Sequence, residues 1–247
     1  MDTKNRRVTT PKLLSVLVPS LRSRLSPLGT ILEKIEAQIG PRMDVEVLSI
    51  VDLKTMTLGR KRNLLMDMAV GKYLTFVNDD DDISPKWLEI ITENLEAAPD
   101  VDVLSIRAEC KKRASVFSEW ENSHFMATTL RCPEVALQLV GKPGLFIHKP
   151  CMWCVWKSDL ARSARFPDQT WGEDTAWMHA VCANAKTERV VPSVIYCYYA
   201  DDTVSEAGPW RHENHCGLYI TSSSDTRAFI AEHKELMTYL QLVQGNA

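Results

Sequence analysis

Short apolar runs alternate with helix-like segments through the first hundred residues. The runs are "LLSVLVPS" from Leu13, "VEVLSIV" from Val45, "YLTFV" from Tyr73 and "VDVLSI" from Val101. Such runs predict buried strands, and the segments between them, with apolar residues every three or four positions, predict helices. Strands that alternate with helices favour an α/β fold with a mostly parallel central sheet flanked by helices.

Acidic motifs follow the ends of these predicted strands. Asp52 comes directly after the second strand, and four consecutive aspartates, Asp79 to Asp82, come after the third. Parallel α/β sheets bind ligands beyond the carboxyl ends of their strands, so we expect these carboxylates at one ligand-binding rim. The first strand is followed by neither G-x-G-x-x-G nor G-x-x-x-x-G-K-[ST], which argues against the common dinucleotide and phosphate loops.

The aspartate run needs a physical reason, because four adjacent carboxylates repel one another. A fold accommodates them only if they are solvated or neutralised by a cation. The structural alternative is an acidic cap on the next helix, which Ser84-Pro85 is predicted to open. One carboxylate is enough for capping, and oxygen ligands beside substrate phosphates suit Mg²⁺ or Mn²⁺. The run therefore favours a divalent-metal and phosphate site.

Composition indicates one globular domain. The chain has 247 residues, 45% of them hydrophobic, and a net charge of -3, which is enough for one substantial core. The charge neither demands nor excludes a nucleic-acid partner, because basic clusters lie at 4–7, 60–62 and 111–113. The sequence contains no run typical of a membrane span or secretory signal, so we expect a cytoplasmic protein.

The seven cysteines are scattered through apolar segments and predict reduced, buried thiols. Cys151 and Cys154 in "CMWC" have the spacing of zinc and redox sites. No second pair accompanies them, and residues three apart on a strand face opposite ways, so metal binding there is disfavoured.

The pattern is weaker beyond Arg107. A helix is predicted to open at Pro133, and "MWCVW" predicts a strand. "FPDQTWGEDTAWMHAVCANA" predicts a loop that runs into a helix, and "RVVPSVIYCYY" predicts a late strand. An amphipathic helical tail is expected from Thr221 to Leu242.

In combination, "LLSVLVPS", "VEVLSIVD", "GRKRNLLMDMAVGKYLTFVNDDDDISPKWLE" and "FPDQTWGED" resemble the family-2 glycosyltransferases of the GT-A fold. The resemblance covers residues 13 to about 205 and implies a single GT-A domain, 1–247. Its parts would be a nucleotide-sugar-binding half, 13–106, a smaller acceptor-binding and catalytic half, 107–205, and a helical tail, 206–247. The implied activity is an inverting, metal-dependent transfer of sugar from a nucleotide diphosphate sugar, most often a UDP-sugar, to an acceptor hydroxyl.

The resemblance also implies a metal site. The family's metal motif, D-x-D-D before three residues and a proline, aligns with residues 78–81 when counted back from Pro85. Asn78 then replaces the family's first acid, Asp80 becomes the best metal ligand, Asp81 or Asp79 assists, and Asp82 caps the next helix. Where many members carry a late histidine, this chain has Asp201 and Asp202. Asp201 is expected either to bind the metal or to lie in a turn, and His212 is a weaker alternative.

"WGED" resembles the family's E-D motif, although two acids in a first helical turn are also common without any catalytic role. The resemblance makes Asp174 the general base for the acceptor hydroxyl and gives Glu173 an orienting role. Trp171 is expected to line the sugar pocket. The residues assigned to the nucleotide sugar are Pro19, Asp52, Arg60, Asn63, Asp79 and Trp171.

The acceptor stays open between a saccharide or lipid-linked saccharide and a hydroxymethylated base of DNA. Compact relatives with "GRKRN" and an aspartate run also resemble bacteriophage-encoded proteins, which keeps the DNA acceptor open. Acceptor specificity is expected between Lys111 and Lys157. The candidate lining residues are His148, Lys149, Trp153 and Trp156.

Two other functions compete with sugar transfer. A sugar-phosphate nucleotidyltransferase would need a glycine- and lysine-rich loop after the first strand, whereas "PSLRSRLSPLG" has little glycine. A non-catalytic sugar-nucleotide-binding module would explain Asn78 as a decayed metal site. Retention of "WGED" argues against decay, because a module without chemistry needs no base.

Overall fold

The structure, a computed structural model, describes residues 11–112, 124–132, 136–139, 145–200 and 218–220. The predictions for Asp201, Asp202, His212 and the tail 206–247 therefore concern residues outside the described ranges, apart from a short strand at Leu218–Ile220. That strand lies where the sequence predicts part of a helical tail.

The described helices and strands follow one another in chain order. They are β1 (Leu14–Leu21), α1 (Leu25–Ile39), β2 (Val45–Asp52), α2 (Leu58–Met68), β3 (Tyr73–Phe76), β4 (Asp82–Ile83), α3 (Trp87–Ala97), β5 (Val103–Lys112), β6 (His124–Thr128), β7 (Ala136–Leu139), β8 (Leu145–His148), β9 (Val155–Lys157), α4 (Ser158–Arg162), α5 (Glu173–Cys182), β10 (Glu188–Ala200) and β11 (Leu218–Ile220). At 15 residues, α1 is the longest helix in these ranges, and no helix there has the length and apolar run that a bilayer crossing requires.

Three parallel strands form the part of the sheet nearest the predicted ligand rim. β1 pairs in parallel with both β2 and β3, and its register sets Leu21 beside Asp52. Every residue of β1 is buried, as expected for a strand covered on both faces by helices. Because the three strands run the same way, their carboxyl ends meet at one edge of the sheet.

The rest of the sheet is mixed. Its order is β11-β7-β8-β6-β5-β9-β3-β1-β2, and β10 pairs with β4 and β5. β9, which contains part of the predicted "MWCVW" strand, lies between β3 and β5 and runs antiparallel to both. Strands from the two predicted halves of the chain thus share one sheet. The predicted α/β fold with a mostly parallel central sheet is confirmed.

The prediction of a helix that begins at Pro133 is wrong for the described residues 136–139. Ala136–Leu139 is the strand β7, antiparallel to β8 and parallel to β11. Periodicity cannot separate a helix from a buried strand in so short an apolar run, and pairing with neighbouring strands decides the outcome.

Two residues predicted to line the acceptor pocket belong to the core instead. Trp153 is 5% exposed and stacks on Tyr196, and Trp156 is fully buried with its ring edge-on to Trp177. Each indole therefore packs within the sheet and its covering helices, which leaves no face for an acceptor. The prediction for these two residues is wrong because both indoles lie in the core.

Cys151 and Cys154 lie on a turn before β9, not on an extended strand. The backbone N–H of Cys154 donates to the carbonyl of Cys151 at 3.1 Å, and the two thiols interact with each other. The argument that strand geometry separates them is therefore wrong. The six cysteines within the described residues are free.

Candidate functional site

A buried lysine joins the carboxyl ends of the parallel strands. Lys61 of α2 is fully buried, and its Nζ donates to the carbonyl of Ser20 at 2.9 Å and pairs with Asp52 Oδ1 at 2.7 Å. The Ser20 hydroxyl donates in turn to Asp79 Oδ2 at 2.6 Å. The ends of β1 and β2 and the loop after β3 are thereby tied into one cluster. In the sequence, Lys61 belongs to the basic cluster at 60–62, and its neighbour Arg60 is exposed.

Asp52, the predicted contact for the nucleotide base, is occupied by its own turn. Oδ2 accepts from the backbone N–H of Thr55 at 2.7 Å and of Met56 at 2.9 Å, and Oδ1 faces Lys61. Burial alone would raise the pKa of this carboxyl, but the hydrogen bonds from Lys61, Met56 and Thr55 outweigh it and lower the pKa to about 2. These contacts favour a structural role for Asp52, and its contact with a nucleotide stays a prediction.

Arg24 sits against the predicted metal ligands. It ends the short 3₁₀ turn Arg22–Arg24 between β1 and α1. Its Nη2 lies 3.1 Å from Asp79 Oδ1 and also contacts Asp80 Oδ2. The side chain of Asp79 is 3% exposed and that of Asp80 is 21% exposed. Burial raises the pKa of Asp79, while Ser20 and Arg24 oppose the rise.

Asp81 points away from that pair and anchors the loop. Oδ2 accepts from the Tyr196 hydroxyl at 2.6 Å and from Asn78 Nδ2 at 2.8 Å, and Oδ1 accepts from the Tyr199 N–H at 3.0 Å. Burial and the charge of Asp80 raise the pKa of Asp81 to about 7. With both oxygens occupied, the geometry favours Asp81 as the residue that fixes the loop on β10. Its role as a metal ligand stays a prediction.

Asp82 does not cap the next helix, so that expectation is wrong. Its Oδ1 pairs with Lys34 of α1 at 2.6 Å and accepts from the Ile83 N–H at 2.8 Å. α3 begins at Trp87 without a side-chain cap. A cavity of about 180 Å³ separates α1 from the aspartate run. Its lining residues are Pro27, Thr30, Ile31, Lys34 and the four aspartates 79–82.

A divalent cation fits the pair Asp79 and Asp80. Both carboxylates already converge on one cationic group, Arg24, and Mg²⁺ is usually held by one or two carboxylates together with substrate phosphates. No cluster of three or more His, Cys, Asp or Glu side chains suited to a metal occurs in the part of the chain that the structure describes. The described residues therefore offer two carboxylates, and a diphosphate and water would complete the coordination.

The E-D motif begins α5, and side-chain contacts connect it to the loop 78–82 that contains the aspartate run. Glu173 is 3% exposed and pairs with Arg62 of α2. The Nη2 of Arg62 also donates to Asn78 Oδ1 at 3.3 Å, and its guanidinium packs over the rings of Phe76 and Phe166. A chain of contacts thus runs from Glu173 through Arg62 and Asn78 to Asp81. The sequence pointed to Arg62 only as part of a motif, because its partner lies 111 positions away.

Asp174, the predicted base, is half-buried in the first turn of α5. Its Oδ1 accepts from the N–H of Thr175 at 2.8 Å. His148 at the end of β8 lies within electrostatic reach: burial lowers the pKa of this imidazole, and its backbone partner Lys149 and the charge of Asp174 oppose that shift. Trp171, just before the motif, is 47% exposed. An open indole face therefore stands beside the predicted base.

Two other predicted donor-side residues have structural contacts. Asn63 donates to the carbonyl of Phe166 at 2.8 Å and accepts from its N–H at 3.0 Å, which occupies both ends of the amide. Pro19 is buried within β1 beside Ile50 of β2. These contacts explain both residues without a ligand, so their donor-binding roles stay predictions.

The fold and the rim together define a class of protein. A mostly parallel sheet carries two convergent carboxylates at its strand ends, and a helix that begins with adjacent acids is tied to the same loop. This arrangement is similar to the GT-A fold that the sequence motifs resemble. Residues 49–162 match the family model described as Glycosyl transferase family 2. The matched segment contains the aspartate run, and the matched family is the one that the sequence motifs resemble.

Solved structures support the fold independently of sequence. S. aureus TarS 1-349 in complex with UDP-GlcNAc superimposes with a TM-score of 0.57 at 16% identity, over 81% of this chain and 62% of that one. TarS 1-349 in complex with UDP gives a TM-score of 0.54 at 17% identity, over 76% and 61%. The chain therefore spans about three fifths of the length of these structures. No curated protein sequence matches it.

Proposed function

We propose that the protein transfers a sugar from a nucleotide diphosphate sugar to an acceptor hydroxyl, with inversion at the anomeric carbon. One observation carries the proposal: Arg62 ties the E-D helix to the loop that bears Asp79 and Asp80. The candidate base and the candidate diphosphate site are nearly a hundred residues apart in the chain. The contacts of Arg62 hold them in a fixed position relative to each other. Transfer requires such a fixed relation between acceptor and donor.

In the proposed step, Asp174 accepts the proton of the acceptor hydroxyl as its oxygen bonds to the anomeric carbon. The bond from that carbon to the diphosphate oxygen breaks, and the nucleoside diphosphate leaves with the electron pair. Asp80, with Asp79, would hold Mg²⁺ or Mn²⁺, which supplies Lewis-acid neutralisation of the leaving diphosphate. Trp171 offers its exposed face to a sugar ring.

We infer a UDP-sugar as donor, because structures of the same fold contain UDP-GlcNAc and UDP. The acceptor is proposed to be a saccharide hydroxyl, free or lipid-linked. Hydroxymethylated DNA is the alternative acceptor, and a bacteriophage origin is a prediction of the sequence resemblance alone.

The test is release of UDP from a panel of UDP-sugars with Mn²⁺ and water as acceptor, followed by transfer of labelled sugar to saccharide, lipid extract or hydroxymethylated DNA. Asp174→Asn and Asp80→Ala should each lower turnover by at least about a hundredfold, the usual worth of a general base or a charge-stabilising group. Asp100→Asn, at a side chain that is 80% exposed, is the matched control and should leave turnover unchanged. Donor binding without metal-dependent turnover in the wild type would favour a non-catalytic module.

A further inference from the structure

Arg24 occupies the position between Asp79 and Asp80 that a cation bound by both carboxylates would take. Its Nη2 contacts one oxygen of each residue, so the two acids are bridged by a single positive group. No motif in the sequence assigns a role to Arg24, and the resemblance to family 2 rests on other residues. The contact is made from the turn Arg22–Arg24 between β1 and α1.

Charge makes Arg24 and a divalent cation alternatives. Two ionised carboxylates carry two negative charges, and the guanidinium neutralises one of them. A divalent cation would neutralise both, but with the guanidinium still in place the cluster would become positive in a partly buried site, where like charges repel strongly. Occupation by the cation therefore favours departure of Arg24.

The local structure allows that departure. Arg24 belongs to a three-residue 3₁₀ turn in which no residue is buried, and its side chain is 16% exposed. Rotation about the side-chain bonds of an arginine at such a turn can carry its guanidinium towards water. Lys61, the second cation near Asp79, is fully buried and donates to the Ser20 carbonyl, so it is fixed in place.

We propose that Arg24 is an internal counter-cation that competes with the divalent cation for Asp79 and Asp80, and so sets the metal affinity of the donor site. This rests on the proposed function only in that the cation is the one that accompanies the donor diphosphate. Arg24 neutralises one of the two charges of the aspartate pair until the metal replaces it.

The test measures Mn²⁺ binding to the full chain without any nucleotide, by electron paramagnetic resonance of free Mn²⁺ and by calorimetry. Arg24→Gln should bind Mn²⁺ about tenfold more tightly than the wild type, the factor expected for losing a competing charge-assisted contact. Arg24→Lys keeps the charge but not the two-pronged geometry and should lie between them. If Arg24→Gln folds poorly, the Mn²⁺ affinity of Arg24→Lys tests the proposal in its place.

Lys34→Gln is the matched control. It removes one positive charge from the same region, where Lys34 pairs with Asp82, so it should leave Mn²⁺ affinity within about twofold of the wild type, as expected for a solvent-screened charge. Equal tightening in Lys34→Gln and Arg24→Gln would reduce the effect to general electrostatics and overturn the proposal. Unchanged affinity in Arg24→Gln, or no Mn²⁺ binding by any variant, would overturn it as well.

Turnover of UDP-sugars by the same preparations separates this proposal from the proposed function. If the wild type turns over a donor while Arg24→Gln shows no change in Mn²⁺ affinity, competition by Arg24 fails and sugar transfer stands. If Mn²⁺ affinity shifts as expected while no nucleotide sugar is consumed, the competition stands and sugar transfer fails.

Discussion

Each charge at the rim has a specific partner, and that partner determines what the residue can do. Asp52 is held by Lys61, and Asp82 by Lys34. Asp81 is held by neutral donors on β10 and by Asn78. Asp79 also accepts from Ser20, and it shares Arg24 with Asp80, so this is the pair at which we propose that an external cation replaces Arg24. Adjacent residues of one run thus have different chemistry.

At this scale, Asp52 should make the stability of the fold sensitive to acid. Its pKa in the folded protein is about 2, against an ordinary value of 3.8. Between those two pH values the unfolded chain binds a proton at Asp52 more readily than the folded protein does. The stabilisation of the fold by the ionised Asp52 is therefore complete above about pH 4 and is lost as the pH falls through about 2. The free energy of unfolding, measured with urea at pH 6 and at pH 2, should fall between these two pH values in the wild type. In Asp52→Asn this fall should be smaller by about 1 to 2 kcal/mol.

Asp100→Asn, at an exposed carboxylate, is the control and should follow the wild-type pH dependence. The absolute stability of Asp52→Asn at pH 6 is expected to fall, because Lys61 is left buried without its counter-ion. Only the difference in pH dependence tests the argument. Parallel curves for wild type and Asp52→Asn would show that the Lys61 contact does not hold the carboxylate in its charged form.

The sequence predicted which residues gather at the rim but not which of them pair. Asp52 and the aspartate run could be placed because each follows a strand directly, and parallel strands end at one edge. Their partners reach the rim only through tertiary folding. Lys61 looked like part of an exposed basic helix, and Arg62 gained its role from Glu173, far along the chain.

At the scale of elements, helix α2 shows why boundaries were harder to predict than cores. Its apolar spacing becomes regular only at Leu64, yet the helix begins at Leu58, where the Thr57 side chain accepts from the N–H of Arg60 at 3.1 Å. The start is determined by this cap and by the segment 167–169 against the first turn. Neither produces a periodic apolar signal.

Close packing at that first turn should make Gly59 irreplaceable. A Cβ at Gly59 would lie 1.9 Å from the carbonyl oxygen of Pro167, which is backbone and cannot rotate away. The N–H of Gly59 also donates to the carbonyl of Gln169 at 3.0 Å. Gly59→Ala should therefore lower the free energy of unfolding by about 1 to 3 kcal/mol, the usual cost of overpacking, as measured by urea unfolding.

Gly29 in α1 is the matched control, because a Cβ there meets no atom within 4 Å. Gly29→Ala should stabilise the protein by about 0.5 to 1 kcal/mol, since alanine loses less backbone entropy in a helix. The two identical substitutions should therefore have opposite signs. A destabilising Gly29→Ala, or a neutral Gly59→Ala, would show that close packing against 167–169 does not control α2.

At the scale of the whole molecule, the predicted division into a donor half and an acceptor half does not coincide with separate cores. β9 from the second half lies between β3 and β5, and Phe166 packs against Phe76. Interleaved strands could not be predicted from sequence, because β9 follows no crossover helix and its pairing partners are distant. The division into halves stays a prediction about ligands.

Such interleaving should make the molecule unfold as one unit, and Arg62 allows this to be tested. Arg62→Met removes one member of a buried ion pair and leaves Glu173 without its guanidinium partner, which costs about 3 to 5 kcal/mol. Arg165→Met is the control, because Arg165, between α4 and α5, pairs with Asp67 of α2 at side chains 49% and 50% exposed, where the loss should stay below about 1 kcal/mol. Urea unfolding followed by tryptophan fluorescence and by circular dichroism should give one coincident transition in every variant, moved to lower urea in Arg62→Met.

Arg62→Lys, which keeps the charge, should unfold at a urea concentration between those of Arg62→Met and the wild type. If the two probes separate in Arg62→Met, the second half unfolds independently, and the shared sheet is not what holds the two halves together.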